Sequence, residues 1–211
     1  MAEKPIFFNT KMIQAILDGR KIMTRRTVKN IPEGTHRVEQ IGESLFEAHW
    51  GIHGNSMFLD GATEIKCPYQ PGDILWVRET WASYCDECES NQGEGYKDAT
   101  CAYGDCNRYA YKADDDGCPG GKWRPSIHMP KEAARIFLRV KTVRVERLQD
   151  ITEEQAVKEG AKAYGPNNCS GTSARIAFAE IWDRTTRDNS YEWRKNPWVW
   201  VIEFEREEVE E

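Results

Sequence analysis

The run Gly19-Arg20-Lys21-Ile22-Met23-Thr24-Arg25-Arg26 holds the residue types best suited to chemistry in this chain. A lysine stands just ahead of a hydroxyl, inside a cluster of arginines. A lysine beside a hydroxyl activates it as a nucleophile when its own pKa is lowered. Arg20, Arg25 and Arg26 can hold a phosphate or carboxylate on a substrate. The competing reading is a basic turn at a helix end, where cations complement the helix dipole.

A second set lies in Ile74-Leu75-Trp76-Val77-Arg78-Glu79-Thr80-Trp81. On a strand, residues 76, 78 and 80 share one face and 75, 77, 79 and 81 the other. A tryptophan facing a cleft, Trp76 or Trp81, would stack on a base, and Arg78 or Glu79 would bond its edge. The alternative is that both tryptophans are core.

A third set is Cys85-x2-Cys88 followed by Cys101-x4-Cys106, spaced like a four-thiolate zinc site. Cys118 is a spare ligand, and Cys67 or His128 could substitute. Four thiolates leave no open position, so such a zinc is structural. The alternative is a scatter of free thiols on a loop. No organic cofactor is expected. His36, His49 and His53 lack ligand-like spacing.

These groups need elements to position them. Ile6-Phe7-Phe8 reads as a strand. Asn9 or Thr10 caps a helix over Lys11 to Asp18, which Gly19 stops. Lys21 and Thr24 then fall on a loop or strand entry. Residues 36–66 alternate between glycines as a β meander. Pro71-Gly72-Asp73 turns into the strand 74–81. Residues 84–122 are polar and Cys-rich, an inserted loop region crossed by a short strand near 109–111. Residues 136–148 alternate as a long half-buried strand. Thr152-Glu153-Glu154-Gln155 is a capping box opening a short helix that ends at Gly160. Residues 173–187 form a helix with Ile176, Phe178, Ile181 and Trp182 inward, and 197–205 a closing strand. The expected class is α+β, with a curved or barrel-like sheet.

The chain has 211 residues and a net charge of -6, which argues against a generic nucleic-acid coat but allows a local basic site. Seven cysteines suit thiols or metal ligands in a reducing compartment. No apolar run matches a membrane span, and the N-terminus does not read as a signal peptide. A cytoplasmic location and no membrane partner are therefore expected.

The order of these pieces resembles the ASCH domain family, whose fold is similar to the PUA domain. The matching pieces are Ile16-Leu17-Asp18-Gly19-Arg20-Lys21 with Thr24, the Pro71-Gly72-Asp73 turn and its strand, Leu148 to Glu159, and Trp200-Val201-Ile202-Glu203-Phe204. Lys4-Pro5-Ile6, Thr24-Arg25-Arg26, Cys67-Pro68-Tyr69, Trp76 to Trp81 and Pro197 to Phe204 look like the members common in phages and prophages. The resemblance covers most of the chain but not the Cys-rich insertion.

The resemblance implies a PUA-like curved β-barrel, one domain over 1–211 with insertions at about 30–66 and 84–122. It implies a bacterial or phage-infected host cell as the setting. Family members include RNA-binding modules, a ribonuclease, and a small bacterial amidohydrolase acting on acetylcytidine. In that enzyme a Lys, a Thr and a Glu form the triad, and these map onto Lys21, Thr24 and Glu159. The expected partner is a modified nucleoside or RNA. The expected function is removal of an acyl group from an acetylcytidine-like amide. A non-catalytic module binding RNA or a modified nucleotide, and a ribonuclease, are the alternatives. Glu159 would activate a water or protonate the leaving amine, so acyl-threonine and activated-water routes both stay open.

Overall fold

The computed structural model describes residues 2–54, 57–84, 108–114, 117, 122–162, 173–186 and 188–207. The class is mixed α+β, as the alternating and helical periodicities imply. The elements run β1 (Glu3–Phe7), α1 (Thr10–Leu17), β2 (Met23–Thr27), β3 (Thr35–Gln40), β4 (Leu45–Gly54) and β5 (Met57–Lys66). They continue β6 (Ile74–Arg78), β7 (Trp81–Tyr84), β8 (Arg108–Tyr111), β9 (Phe137–Arg147), α2 (Glu153–Lys158), α3 (Ala174–Thr185) and β10 (Trp198–Glu207). Strands form a five-stranded sheet in the order β1-β6-β9-β10-β2, a three-stranded sheet β3-β4-β5 and a β7-β8 pair.

Among the described residues the expected barrel closure is not formed. β1 and β2 are the edges of an open five-stranded sheet. Alternation in a sequence fixes which residues share a face, whereas closure depends on strand number, tilt and stagger. Among the described residues no helix is long and apolar enough to cross a membrane.

The chain divides into two compact units. One comprises Met1–Ala2, Arg20–Ile74 and Arg139–Glu205; the other comprises Glu3–Gly19, Leu75–Leu138 and Arg206–Glu211.

The first unit contains a core built where α2 and α3 meet β2 and β10. Met23, Ala156, Phe178, Trp182, Val199 and Val201 are buried together there. α2 starts at a complete capping box: Thr152 accepts from Gln155 N, and Gln155 reaches back to Thr152 N. Removing this cap by Thr152→Ala is expected to cost about 1 kcal/mol, read as a lower urea midpoint at unchanged slope.

Ser173 caps α3 through Ile176 N. The expected inward set of α3 needs one correction. Phe178 and Trp182 are buried and Ile181 packs partly against them, but Ile176 is 54% exposed. Ala174 and Ala177 take the inner positions instead. At 100° per residue, position 176 points away from the stripe 174-177-178-181-182. β4 lies between β3 and β5, and Phe46 meets Trp200 edge-on at 5.0 Å. Gly61 lies under the Trp50 ring, where a Cβ would come within 2.4 Å of Cζ2.

In the second unit Asn9 caps α1 by accepting from Met12 N, and Gly19 leaves it at φ +71. The expected single strand 74–81 is broken. β6 ends at Arg78 and β7 begins at Trp81. The cause is tertiary: Trp81 exchanges backbone hydrogen bonds with Arg124 and is registered with Tyr111 on β8. The alternation itself survives the break. Leu75, Val77, Glu79 and Trp81 are buried, while Trp76 and Arg78 are half-buried.

Candidate functional site

Lys21 is placed by backbone pairing at both sides of its segment. It forms an isolated antiparallel bridge with Glu159. Its neighbour Ile22 donates its N-H to Lys158 O at 2.9 Å and accepts from Phe204 N at 3.0 Å. Glu159 is the C-cap of α2, and Gly160 follows it at φ +88. The short helix therefore ends against the segment that carries Lys21.

The two side chains meet directly. Lys21 Nζ donates to Glu159 Oε2 at 2.7 Å, to Glu159 O at 3.0 Å and to Met23 O at 2.8 Å. Three acceptors use all three protons of an ammonium. Lys21 is 1% exposed and Glu159 8%. Burial pushes the Lys21 pKa down from its ordinary value of 10.5. Glu159 opposes that shift, and Arg26 and Arg25 add to it. The net direction is down, because desolvating an ammonium outweighs one carboxylate when two further cations stand close.

Arg25 closes the cluster from β2. Its Nη1 donates to Glu159 Oε1 at 3.2 Å, and its Nη2 to Glu146 Oε2 at 3.1 Å and Gln155 Oε1 at 2.8 Å. Its guanidinium also lies 5.9 Å from the centre of the Phe178 ring. Within β2, Met23 and Arg25 thus project to one side, and Thr24 and Arg26 to the other. Thr24 is 3% exposed and pairs with Ile202 on β10. Arg26 is half-buried; desolvation lowers its pKa, and Tyr69 and Glu159 raise it. Arg20 Nη1 donates to Gly160 O at 3.4 Å.

The sequence-derived groups therefore fall into different surroundings. Lys21, Glu159 and Arg25 are in contact. Trp76, Arg78, Glu79 and Trp81 belong to the second unit. There the Arg78 guanidinium lies 4.8 Å from the Trp76 ring centre and 5.2 Å from that of Phe7, with Nε donating to Met129 O. Phe7 is 38% exposed, and nothing in its sequence context marked it out. Glu79 is buried against Arg135, and Trp81 packs with Met129 and Ala133.

Cys85, Cys88, Cys101, Cys106 and Cys118 lie outside the described residues. Cys67 is buried, and His128 ends a short 3-10 turn. Among the described residues no cluster of His, Cys, Asp or Glu has the makings of a metal site.

Two residues of the Lys21 cluster escaped the sequence reading. Gln155 was visible only as half of a capping box. Glu146 was visible only as one polar position in an alternating strand. On the three-stranded sheet a groove is lined by Gly34, His36, His49, Trp50, Gly51, Asp60 and Gly61.

Compared with protein-family models, with curated proteins and with solved structures, the chain matches none.

Proposed function

We propose that this chain is a PUA-like hydrolase that removes an acyl group from the exocyclic amine of a modified nucleobase or nucleoside, an acetylcytidine-like amide. The observation that carries this reading is the buried contact of Lys21 Nζ with Glu159 Oε2 at 2.7 Å, with burial lowering the lysine pKa. A lysine disposed to lose its proton, on a segment that also bears a hydroxyl, supplies a base and a nucleophile.

Amide hydrolysis needs a nucleophile, a proton shuttle and a stabilised oxyanion. Lys21 takes a proton from the Thr24 hydroxyl or from a water, and that oxygen adds to the acyl carbon. The proton then passes through Glu159 to the leaving amine as the C–N bond breaks. In the threonine route a water afterwards hydrolyses the ester and restores Thr24. Arg26, on the same strand face as Thr24, supplies positive charge for the oxyanion.

Chromatography of acetylcytidine incubated with the wild type and with Lys21→Ala tests this. Conversion to cytidine by the wild type alone supports it; no conversion by the wild type overturns it. Thr24→Ala leaves the ion pair in place, so it separates lost chemistry from lost fold. It abolishes turnover in the threonine route and spares it in the water route.

The pH dependence has a definite sign. A base acts when unprotonated, so kcat/KM rises with pH through the Lys21 pKa, which lies below 10.5. A falling profile over that range would remove Lys21 as the base.

The depth of burial favours a second reading, a non-catalytic module for RNA or a modified nucleotide. Lys21 and Thr24 are 1% and 3% exposed, as structural residues would be. In that case the wild type binds without turnover, and the affinity falls steeply with salt.

The cysteine spacing supports a structural zinc held by Cys85, Cys88, Cys101 and Cys106. Metal analysis of the purified protein is expected to find about one equivalent, and less than about half an equivalent counts against the site.

A further inference from the structure

Lys21 and Glu159 form the inner end of a file of alternating charges. Glu159 Oε1 accepts from Arg25 Nη1 at 3.2 Å, and Arg25 Nη2 donates to Glu146 Oε2 at 3.1 Å. Glu146 Oε1 accepts from Arg144 Nε at 2.5 Å, and Arg144 Nη1 donates to Glu203 Oε1 at 2.6 Å. Side-chain exposure is 0% at Lys21, 4% at Glu159 and 0% at Arg25, then rises outward to 21% at Glu146, 31% at Arg144 and 35% at Glu203. Arg25 is gripped on both Nη atoms by protein acceptors and backed by Phe178. A guanidinium so engaged orients its neighbours better than it receives a substrate.

We propose that Arg25 and Glu146 are positioning residues for the Lys21–Glu159 pair, Glu146 holding Arg25 and Arg25 pinning Glu159 Oε1 so that Oε2 faces Lys21. The catalytic meaning of this rests on the hydrolase reading; the arrangement of charges does not. A carboxylate fixed at one oxygen cannot swing away from the lysine that uses the other. Glu146 also offsets the positive charge that Arg25 brings close to Lys21.

Glu159 from the end of α2, and Arg25 and Arg26 from β2, act on Lys21. Tyr69 stands beside Arg26. Arg25 from β2 and Arg144 from β9 face Glu146, and Glu203 from β10 faces Arg144. Removing the Glu146 charge leaves Arg25 less neutralised. The potential at Lys21 becomes more positive, and its ammonium loses a proton at lower pH.

The test is a carbon-13 NMR titration of Lys21 Cε in the full chain, in wild type, Glu146→Gln and Glu205→Gln. Glu205 pairs with Lys141 outside the file and serves as the control. Glu146→Gln keeps the side-chain shape at a partly exposed position, so folding is retained. It is expected to lower the Lys21 midpoint by about half a pH unit, while Glu205→Gln leaves it in place. An unmoved midpoint in Glu146→Gln, or the same shift in both variants, overturns the proposal. Acetylcytidine turnover is followed alongside, and the rising limb of its pH profile is expected to move with the midpoint. A shifted midpoint without turnover in the wild type defeats the hydrolase reading and leaves the positioning role standing. Turnover with an unmoved midpoint does the reverse.

Discussion

Lys21→Met is expected to destabilise the first unit by about 3–5 kcal/mol, the usual cost of removing one partner from a buried ion pair. The reason is what stays behind. Glu159 is 8% exposed, and without Lys21 its Oε2 loses a charged donor at 2.7 Å. The double variant Lys21→Met/Glu159→Leu is expected to recover most of the loss, because an apolar pair of similar volume carries no buried charge. Arg25 keeps Glu146 and Gln155 in that variant. Urea unfolding of the two single variants and the double completes a mutant cycle. A cost under about 1 kcal/mol for Lys21→Met would mean that the pair is far better solvated than its burial implies.

The same lysine gives stability a pH slope. Its folded pKa lies below the unfolded value of 10.5. Between those two values the unfolded chain binds more protons than the folded one, so stability rises with pH across that window. The gain is complete above 10.5 and is lost as pH falls through the folded pKa. Lys21→Met should erase this slope, which chemical denaturation at several alkaline pH values would show.

Arg135→Met carries the largest expected effect in the second unit, about 3 kcal/mol. That is the lower end of the range for a broken buried pair, because the Arg135 side chain is 28% exposed. Glu79 is 1% exposed, and Arg135 reaches it with two bonds, Nε to Oε1 at 3.0 Å and Nη2 to Oε2 at 3.2 Å. Arg135 also bonds Asp114 and lies 3.9 Å from the centre of the Tyr111 ring. Losing it strands a carboxylate in the interior. Adding Glu79→Gln should return part of the loss, since an amide is cheaper to bury than an ion. Burial raises the Glu79 pKa despite Arg135. Its contribution is therefore full below the unfolded value and is lost as pH rises through the folded one. Thermal melts at mildly acidic and neutral pH would show the Arg135→Met deficit growing with pH.

The parts legible in the sequence were those encoded over a few residues. The Asn9 cap, the stop at Gly19, the capping box at Thr152 and the end of α2 before Gly160 all depend on neighbours within one turn. The half-buried alternation from Leu75 to Trp81 was legible for the same reason. The break after Arg78 was not, because it comes from the pairing of Trp81 with Arg124 far along the chain. Lys21 and Glu159 are 138 residues apart, and no periodicity joins them. Only the family resemblance suggested the pair. The resemblance gave no hint of Glu146, which reaches the cluster only because the chain folds β9 and β2 into one unit.

The shortness of α2 has an evolutionary consequence. Gln155 and Glu159 lie one helical turn apart and both accept from Arg25. One inserted or deleted residue between them would rotate Glu159 by about 100° around the helix axis and turn it away from Lys21. Length changes in homologous chains should therefore gather after Gly160 and be absent between Gln155 and Glu159.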